Sequence, residues 1–301
     1  MKLVTFTDPD APGRDKLGRI NSEGHVEDLT PVAGDRTLLD VIDAWPQLGP
    51  ALAAATALPV AAGARLRAPI PQPPRNLFAV GKNYHDHIEE FARSGYDAPD
   101  RAEKIPAVPI VFSKVPTAVT GPYDDIDPHP AVTTELDYEA ELAVIIGRGG
   151  RGIPREQAMA HVWGYTIIND VTARDLQRDH QQWLLGKSLD TFAPMGPWAV
   201  TADEVGEPRN LIVSSAVNGE ARQHAPLADL IFDIPELITT ISAGITLHSG
   251  DIIATGTPAG VGIGFTPPRF LQPGDLVECS ITGLGTLRNA VRQHDPARNP
   301  R

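Results

Sequence analysis

The sequence predicts an α+β fold that is mainly β, a small N-terminal α/β domain at residues 1–68 followed by a larger strand-rich one at 76–295. Two observations predict it. Four prolines (Pro69, Pro71, Pro73, Pro74) fall within six residues, which neither a helix nor a central strand accepts, so 69–75 reads as an extended linker. Beyond the linker, Gly and Pro recur at short intervals and leave few stretches of helical length, which argues against a regular βαβ alternation. Before it, strand-like pieces at Lys2 to Thr7, Gly18 to Asn21 and His25 to Leu29 precede a helical pattern at Thr37 to Ala57. After it, helical spacing is confined to about Arg155 to Val162, Ala173 to Leu185 and Ile234 to Ser242, with a short helix at Asn83 to Phe91. Residues 296–301 read as a tail, and no internal repeat is visible.

Composition narrows the function. Of 301 residues, 42% are hydrophobic, enough for a sizeable core. Lys and Arg number 26 against 38 Asp and Glu, a formal charge of -12 without any basic run, which disfavours nucleic acid and acidic lipid as partners. Apolar stretches such as Ala51 to Ala62 fall short of the roughly 20 residues a membrane span needs, and the start Met1-Lys2-Leu3-Val4 lacks a signal peptide's apolar region, so a cytoplasmic location is expected. The one cysteine, Cys279, sits in a strand-like segment and reads as core, which removes disulfides and Cys-rich metal sites.

Chemistry is concentrated in carboxylates. The segment from Leu136 to Gly147 ends in β-branched residues and reads as one strand, whose period of two puts Glu139 and Glu141 on one face and Ala140, Leu142, Val144 and Ile146 on the other. Adjacent acids repel, so they are either solvated or share a cation. A second apolar strand, Gly164 to Asn169, runs into Asp170 and then a helix, so Asp170 is either a helix cap or a third ligand completing an all-oxygen set for Mg2+ or Mn2+. Arg174 and Gln177, three apart, share one side of that helix.

Other motifs carry less. The run Gly147 to Gly152 matches G-x-G-x-x-G, but two glutamates occupy the preceding strand and Pro154 opens the helix only after the last glycine, so it reads as a turn, not a dinucleotide site. A second glycine run, Gly260 to Gly264, leads into Phe265 and two prolines with no phosphate-cradling helix. Neither G-x-S-x-G nor H-E-x-x-H occurs.

The combination of Glu139-x-Glu141, Asp170-x-x-x-Arg174-Asp175-x-Gln177, Gly186 to Thr191, and Gly250 to Gly262 resembles the fumarylacetoacetate hydrolase family. The likeness covers about Asn76 to Leu287, includes Gly81 to His87, and is closest to the bacterial oxaloacetate decarboxylase branch that resembles acylpyruvate hydrolases. It implies a β-roll domain, a homodimer, and Mg2+ or Mn2+ held by Glu139, Glu141 and Asp170. It further implies that Lys187, Arg174, Gln177 and Thr257 line a 2-oxo acid substrate, with Lys187 catalytic, and that His87 and Glu90 form a catalytic dyad on a lid; the stretch Phe91 to Pro106, Gly- and Asp-containing and irregular, reads as a mobile lid. A metal site at His85-Asp86-His87 is the competing reading of that segment, and a solvated surface pair is the competing reading of His87 and Glu90.

The activity so implied is metal-dependent cleavage of the C3-C4 bond of a 2-oxo acid. Decarboxylation of oxaloacetate is favoured, with acylpyruvate hydrolysis and 2-oxo-acid tautomerisation or isomerisation as alternatives and a non-catalytic binding module as the outside one. Decarboxylation and hydrolysis both leave an enolate on the 2-oxo oxygen, where Lys187 and Arg174 add positive charge. Hydrolysis alone needs water activated at C4, for which His87 oriented by Glu90 suits.

Overall fold

The computed structural model describes residues 1–9, 13–60, 63–95 and 105–293. The expected tail, and residues 96–104 of the expected lid, lie outside the described residues.

The centre is a sheet of twelve strands. Ala140–Ile146 and Val162–Asn169 form its middle, paired antiparallel with Ala140 opposite Asn169 and Glu141 opposite Ile168. Val162–Asn169 continues to Ala193–Thr201, and Ala140–Ile146 to Ile252–Ala254, which pairs in parallel with Leu77–Gly81; Ile110–Lys114 closes that edge. Every residue of Ala140–Ile146 is buried, as is all of Val162–Asn169 apart from its first residue. Such strands are covered on both faces. One of the layers against them is an antiparallel sheet in the order Glu220–Pro226, Ile212–Val217, Leu276–Ile281, Gly285–Ala290. Cys279 lies in this second sheet and is buried, as expected of a core residue.

The boundary expected at 69–75 is crossed by the large sheet. Lys2–Thr7 pairs with Ala193–Thr201 through Lys2 opposite Val200 and Leu3 opposite Ala199. The proline-rich segment is packed as well, with Ile70 buried and the Thr5 hydroxyl donating to the Pro69 carbonyl at 2.8 Å.

Three local expectations change in the structure. The strand expected from Leu136 to Gly147 breaks at Tyr138-Glu139, because Leu136–Asp137 leaves the large sheet to pair with Thr172–Ala173. The helix expected over Ala173 to Leu185 divides into Arg174–His180 and Leu184–Lys187 around Gln181, whose φ of 57° no α-helix accommodates. Arg155–His161 is a 3-10 helix following the Gly147 to Gly152 turn, so no α-helix N-terminus faces that glycine run. Ile234–Ser242 forms as expected, capped by the Asp233 side chain accepting from the Glu236 amide.

Candidate functional site

Glu139, Glu141 and Asp170 converge at the end of the two central strands, each offering a carboxylate oxygen within 4.8 Å of the others. All three are buried. A solvated strand face is thereby excluded for the two glutamates, and Asp170, with no side-chain bond to the following helix, is no N-cap. Two bonds fix the corner where the strands part: the Asp170 amide donates to the Glu139 carbonyl at 2.8 Å, and the Glu139 amide to Asn169 Oδ1 at 2.9 Å.

Three buried cations surround the acids. Lys187 Nζ donates to Glu139 Oε2 at 2.7 Å and to Asp170 Oδ2 at 2.8 Å. Lys114 Nζ lies 2.5 Å from Asp170 Oδ1 and also donates to the Val171 carbonyl. Arg174 Nη1 sits 2.7 Å from Glu139 Oε1, while its Nε donates to Asp137 Oδ2 at 2.9 Å. Burial pushes Glu139 up, but Lys187 and then Arg174 outweigh it and hold its pKa at about 2. Glu141 goes the other way: burial, Asp170 and Glu139 push it well above the usual carboxylate range, with Lys187 and the Gly256 amide opposing. Burial pulls both lysines down; Lys114 ends below its ordinary value, whereas Asp170 and Glu139 keep Lys187 above it.

The cavity in front of this cluster is lined by Lys82, His87 and Phe91 as well as by Arg174, Gln177 and Thr257. Its free volume is about 20 Å³, room for little more than one water. Gln177 Oε1 accepts from Arg174 Nη1 at 3.1 Å, so the expected i, i+3 pair forms. Thr257 is committed differently from a substrate donor. Its hydroxyl proton goes to the Ala140 carbonyl at 3.0 Å and one lone pair to Gln223 Nε2 at 2.7 Å, leaving only an acceptor toward the cavity.

His87 and Glu90 lie on the helix His85–Ser94, with His87 Nδ1 3.3 Å from Glu90 Oε2. Both are buried, whereas His85 and Asp86 face out, which dismisses both the H-x-H metal site and a solvated surface pair. The base of the helix is tied by Asn83, whose amide nitrogen donates to the Thr255 and Phe232 carbonyls.

Comparison with known proteins follows the same outline. The family description "Fumarylacetoacetate (FAA) hydrolase C-terminal" matches residues 76–292. The chain belongs to the fumarylacetoacetate hydrolase family, a family of enzymes. Among its relatives, oxaloacetate tautomerase YisK of Bacillus subtilis (strain 168) is 53% identical over 227 residues, 75% of this chain and 73% of that protein. Oxaloacetate tautomerase FAHD2A, mitochondrial, of Bos taurus is 42% identical over 301 residues, 97% of this chain and 91% of that protein. The solved structure of maleylpyruvate hydrolase from Sphingobium sp. SYK-6 in complex with manganese(II) ion and pyruvate superposes with a TM-score of 0.77 at 31% identity, covering 98% of this chain and 100% of that one.

In this member of the fumarylacetoacetate hydrolase family the donor set fits a divalent metal. Four buried carboxylates (Asp137, Glu139, Glu141, Asp170) face three buried cations (Lys114, Arg174, Lys187), so full ionisation leaves one excess negative charge. The raised Glu141 is where that excess falls. A divalent ion among three carboxylate oxygens reverses the excess to one positive charge, and an all-oxygen set suits a hard cation.

Two site residues escaped the sequence reading. Asp137 carried a signal, since the same period of two that singles out Glu139 and Glu141 places it on their face. Lys114 carried none: it ends an edge strand and meets Asp170 only through a contact 56 residues distant.

Proposed function

We propose that this protein catalyses the keto-enol tautomerisation of oxaloacetate, with Mg2+ or Mn2+ held by Glu139, Glu141 and Asp170. The observation that carries the reading is the buried carboxylate triad beside the Arg174 guanidinium, whose Nη2 is buried without a hydrogen-bond partner. An unpaired buried donor of this kind is costly unless an acceptor arrives, and a substrate carboxylate is a fitting one. The names of the relatives at 53% and 42% identity support tautomerisation among the three reactions that share an enolate. Decarboxylation of oxaloacetate and acylpyruvate hydrolysis are the neighbouring readings, the latter supported by the name of the maleylpyruvate hydrolase neighbour.

The divalent ion, when bound, supplies a Lewis acid beside the 2-oxo group. Arg174 takes the substrate carboxylate. His87, its tautomer set by Glu90, takes the proton from the enol hydroxyl and delivers it to C3, and runs the reverse in the other direction, so that one proton passes between the 2-oxygen and C3. Lys187 Nζ, a donor with two acids already in place, adds positive charge at the 2-oxygen where the enolate forms, a stabilisation worth about 3 kcal/mol for one well-aimed donor. The helix bearing His87 covers the cavity and excludes water during the transfer.

The test follows the absorbance of enol-oxaloacetate in the manganese-loaded protein, with pyruvate release coupled to a reporter enzyme in parallel. Enol loss faster than the buffer rate, without matching pyruvate release and abolished by chelator, is the expected result. Pyruvate release at the same rate assigns decarboxylation, cleavage of an acylpyruvate assigns hydrolysis, and no metal-dependent turnover of any of them overturns the proposal in favour of a binding module. The homodimer implied by the family resemblance and the cytoplasmic location expected from the sequence belong to this proposal, and sedimentation equilibrium tests the former.

A further inference from the structure

The glycine run Gly260 to Gly264 gains a structural meaning from what touches it. Glu90 Oε1 accepts from the Gly260 amide at 2.9 Å, and Phe91 packs with Val261 and Ile263 in a small apolar cluster separate from the main core. A Cβ on Gly264 would meet the Glu90 side chain at 1.9–2.3 Å. The loop is therefore the seat on which the His87 helix rests. The seat is in turn held by Asp137: its Oδ1 accepts from the Gly262 amide at 2.7 Å and its Oδ2 from the Ile263 amide at 3.0 Å. Asp137 Oδ2 also accepts from Arg174 Nε, and the Arg174 guanidinium lies 6.0 Å from the Phe91 ring centre.

We infer that Asp137 is a positioning residue that joins anion binding at Arg174 to the seating of the helix His85–Ser94 on the Gly260 to Gly264 loop. The inference rests on the reading of Arg174 as the substrate-carboxylate donor. One carboxylate fixes both partners. With Nε on Asp137 and Nη1 on Glu139 and Gln177, the guanidinium cannot rotate, and Nη2 remains as its open donor. The two loop amides share the same carboxylate, so a displacement of either partner is felt by the other. Linkage then requires that an anion bound at Arg174 favours the seated helix, and that the seated helix favours the anion, by the same factor.

The experiment needs no turnover. Oxalate, an unreactive dianion shaped like an enolised 2-oxo acid, is titrated calorimetrically into manganese-loaded wild type, Asp137→Asn and Gly264→Ala. Hydrogen exchange of the amides in 85–94 is followed with and without oxalate, and Mn2+ affinity is measured separately. Gly264 has ordinary backbone angles, so alanine there acts as a wedge against Glu90 without backbone strain. The expected result is Mn2+ affinity within threefold of wild type in Gly264→Ala, oxalate binding weakened tenfold or more in both variants, and oxalate-induced protection of 85–94 present only in wild type. Oxalate affinity within twofold of wild type in Gly264→Ala overturns the coupling, even where Asp137→Asn fails to fold. Weakened oxalate binding in Asp137→Asn with full protection of the helix assigns Asp137 to Arg174 alone and also overturns it. Failure of wild type itself to bind oxalate sinks the substrate reading instead.

Discussion

The carboxylate cluster and the His87 helix line one cavity but are held by different means. The cluster sits at the ends of strands buried on both faces; Glu139 and Asp170 are fixed by ion pairs to Lys114, Lys187 and Arg174, and Glu141 accepts from the Gly256 amide. Removing one partner of such a buried pair costs about 3–5 kcal/mol. The helix His85–Ser94 presents only His87, Ile88, Glu90 and Phe91 to the interior. On the Gly260 loop it is held by the Phe91 side chain, about 1.5–3 kcal/mol when fully buried, and by one hydrogen bond from Gly260, about 1 kcal/mol. The difference follows function. A charge site works by being preorganised, whereas a cavity with room for about one water admits substrate only if part of its wall can move at low cost.

The largest expected effect breaks the rigid half. Asp170→Ala leaves two carboxylates to compete with water for the ion, and Mn2+ affinity by calorimetry should fall at least 100-fold, about 2.7 kcal/mol or more. An unchanged affinity removes the triad from the metal. Lys114→Met leaves Asp170 short of one buried cation, and metal-free protein should lose about 3–5 kcal/mol of unfolding free energy in urea. A loss below 1 kcal/mol means that Lys187 alone balances the charge.

His87→Ala addresses the helix half. Turnover should drop about 100-fold, as for a lost general base, while Mn2+ affinity and urea midpoint stay near wild type. A fall in metal affinity would show the two halves to be one unit.

Protonation gives a gentler comparison. Because the folded pKa of Glu141 is raised above its ordinary value near 4.5, its contribution to the stability of metal-free protein is complete below that value and is lost as pH rises through the folded pKa. The ion needs the carboxylate, so Mn2+ affinity should climb over the same interval, by up to tenfold per pH unit for one displaced proton. Calorimetry in buffers of different ionisation enthalpy detects that proton, and its absence means Glu141 is already ionised. Glu139, held at about 2, should contribute no such release. The smallest effect is Gln177→Ala, which removes one hydrogen bond from Arg174, about 1 kcal/mol, and should raise KM about fivefold with kcat little changed.

Much of the site was legible because it is local. The period of two placed Glu139 and Glu141 together, the strand exit singled out Asp170, and helical spacing paired Arg174 with Gln177 and His87 with Glu90. Where local pattern erred, a neighbour distant in the chain intervened: Leu136–Asp137 left its strand for Thr172–Ala173, and the proline-rich segment packed against Thr5.

By itself, then, the sequence determined a mainly β α+β fold, from where Gly and Pro interrupt the chain, and that Glu139 and Glu141 share a face, from a period of two that backbone geometry fixes. Tertiary structure alone decided which of those acids is held ionised. Glu139 and Glu141 are the same residue type two positions apart, yet Lys187 and Arg174 reach the first while Asp170 and Glu139 crowd the second. It likewise decided that Asp137 would hold both Arg174, 37 residues away, and the Gly262 amide, 125 residues away. Electrostatic energy depends on distance in space, and no periodicity in the chain encodes which distant charges will come within 3 Å.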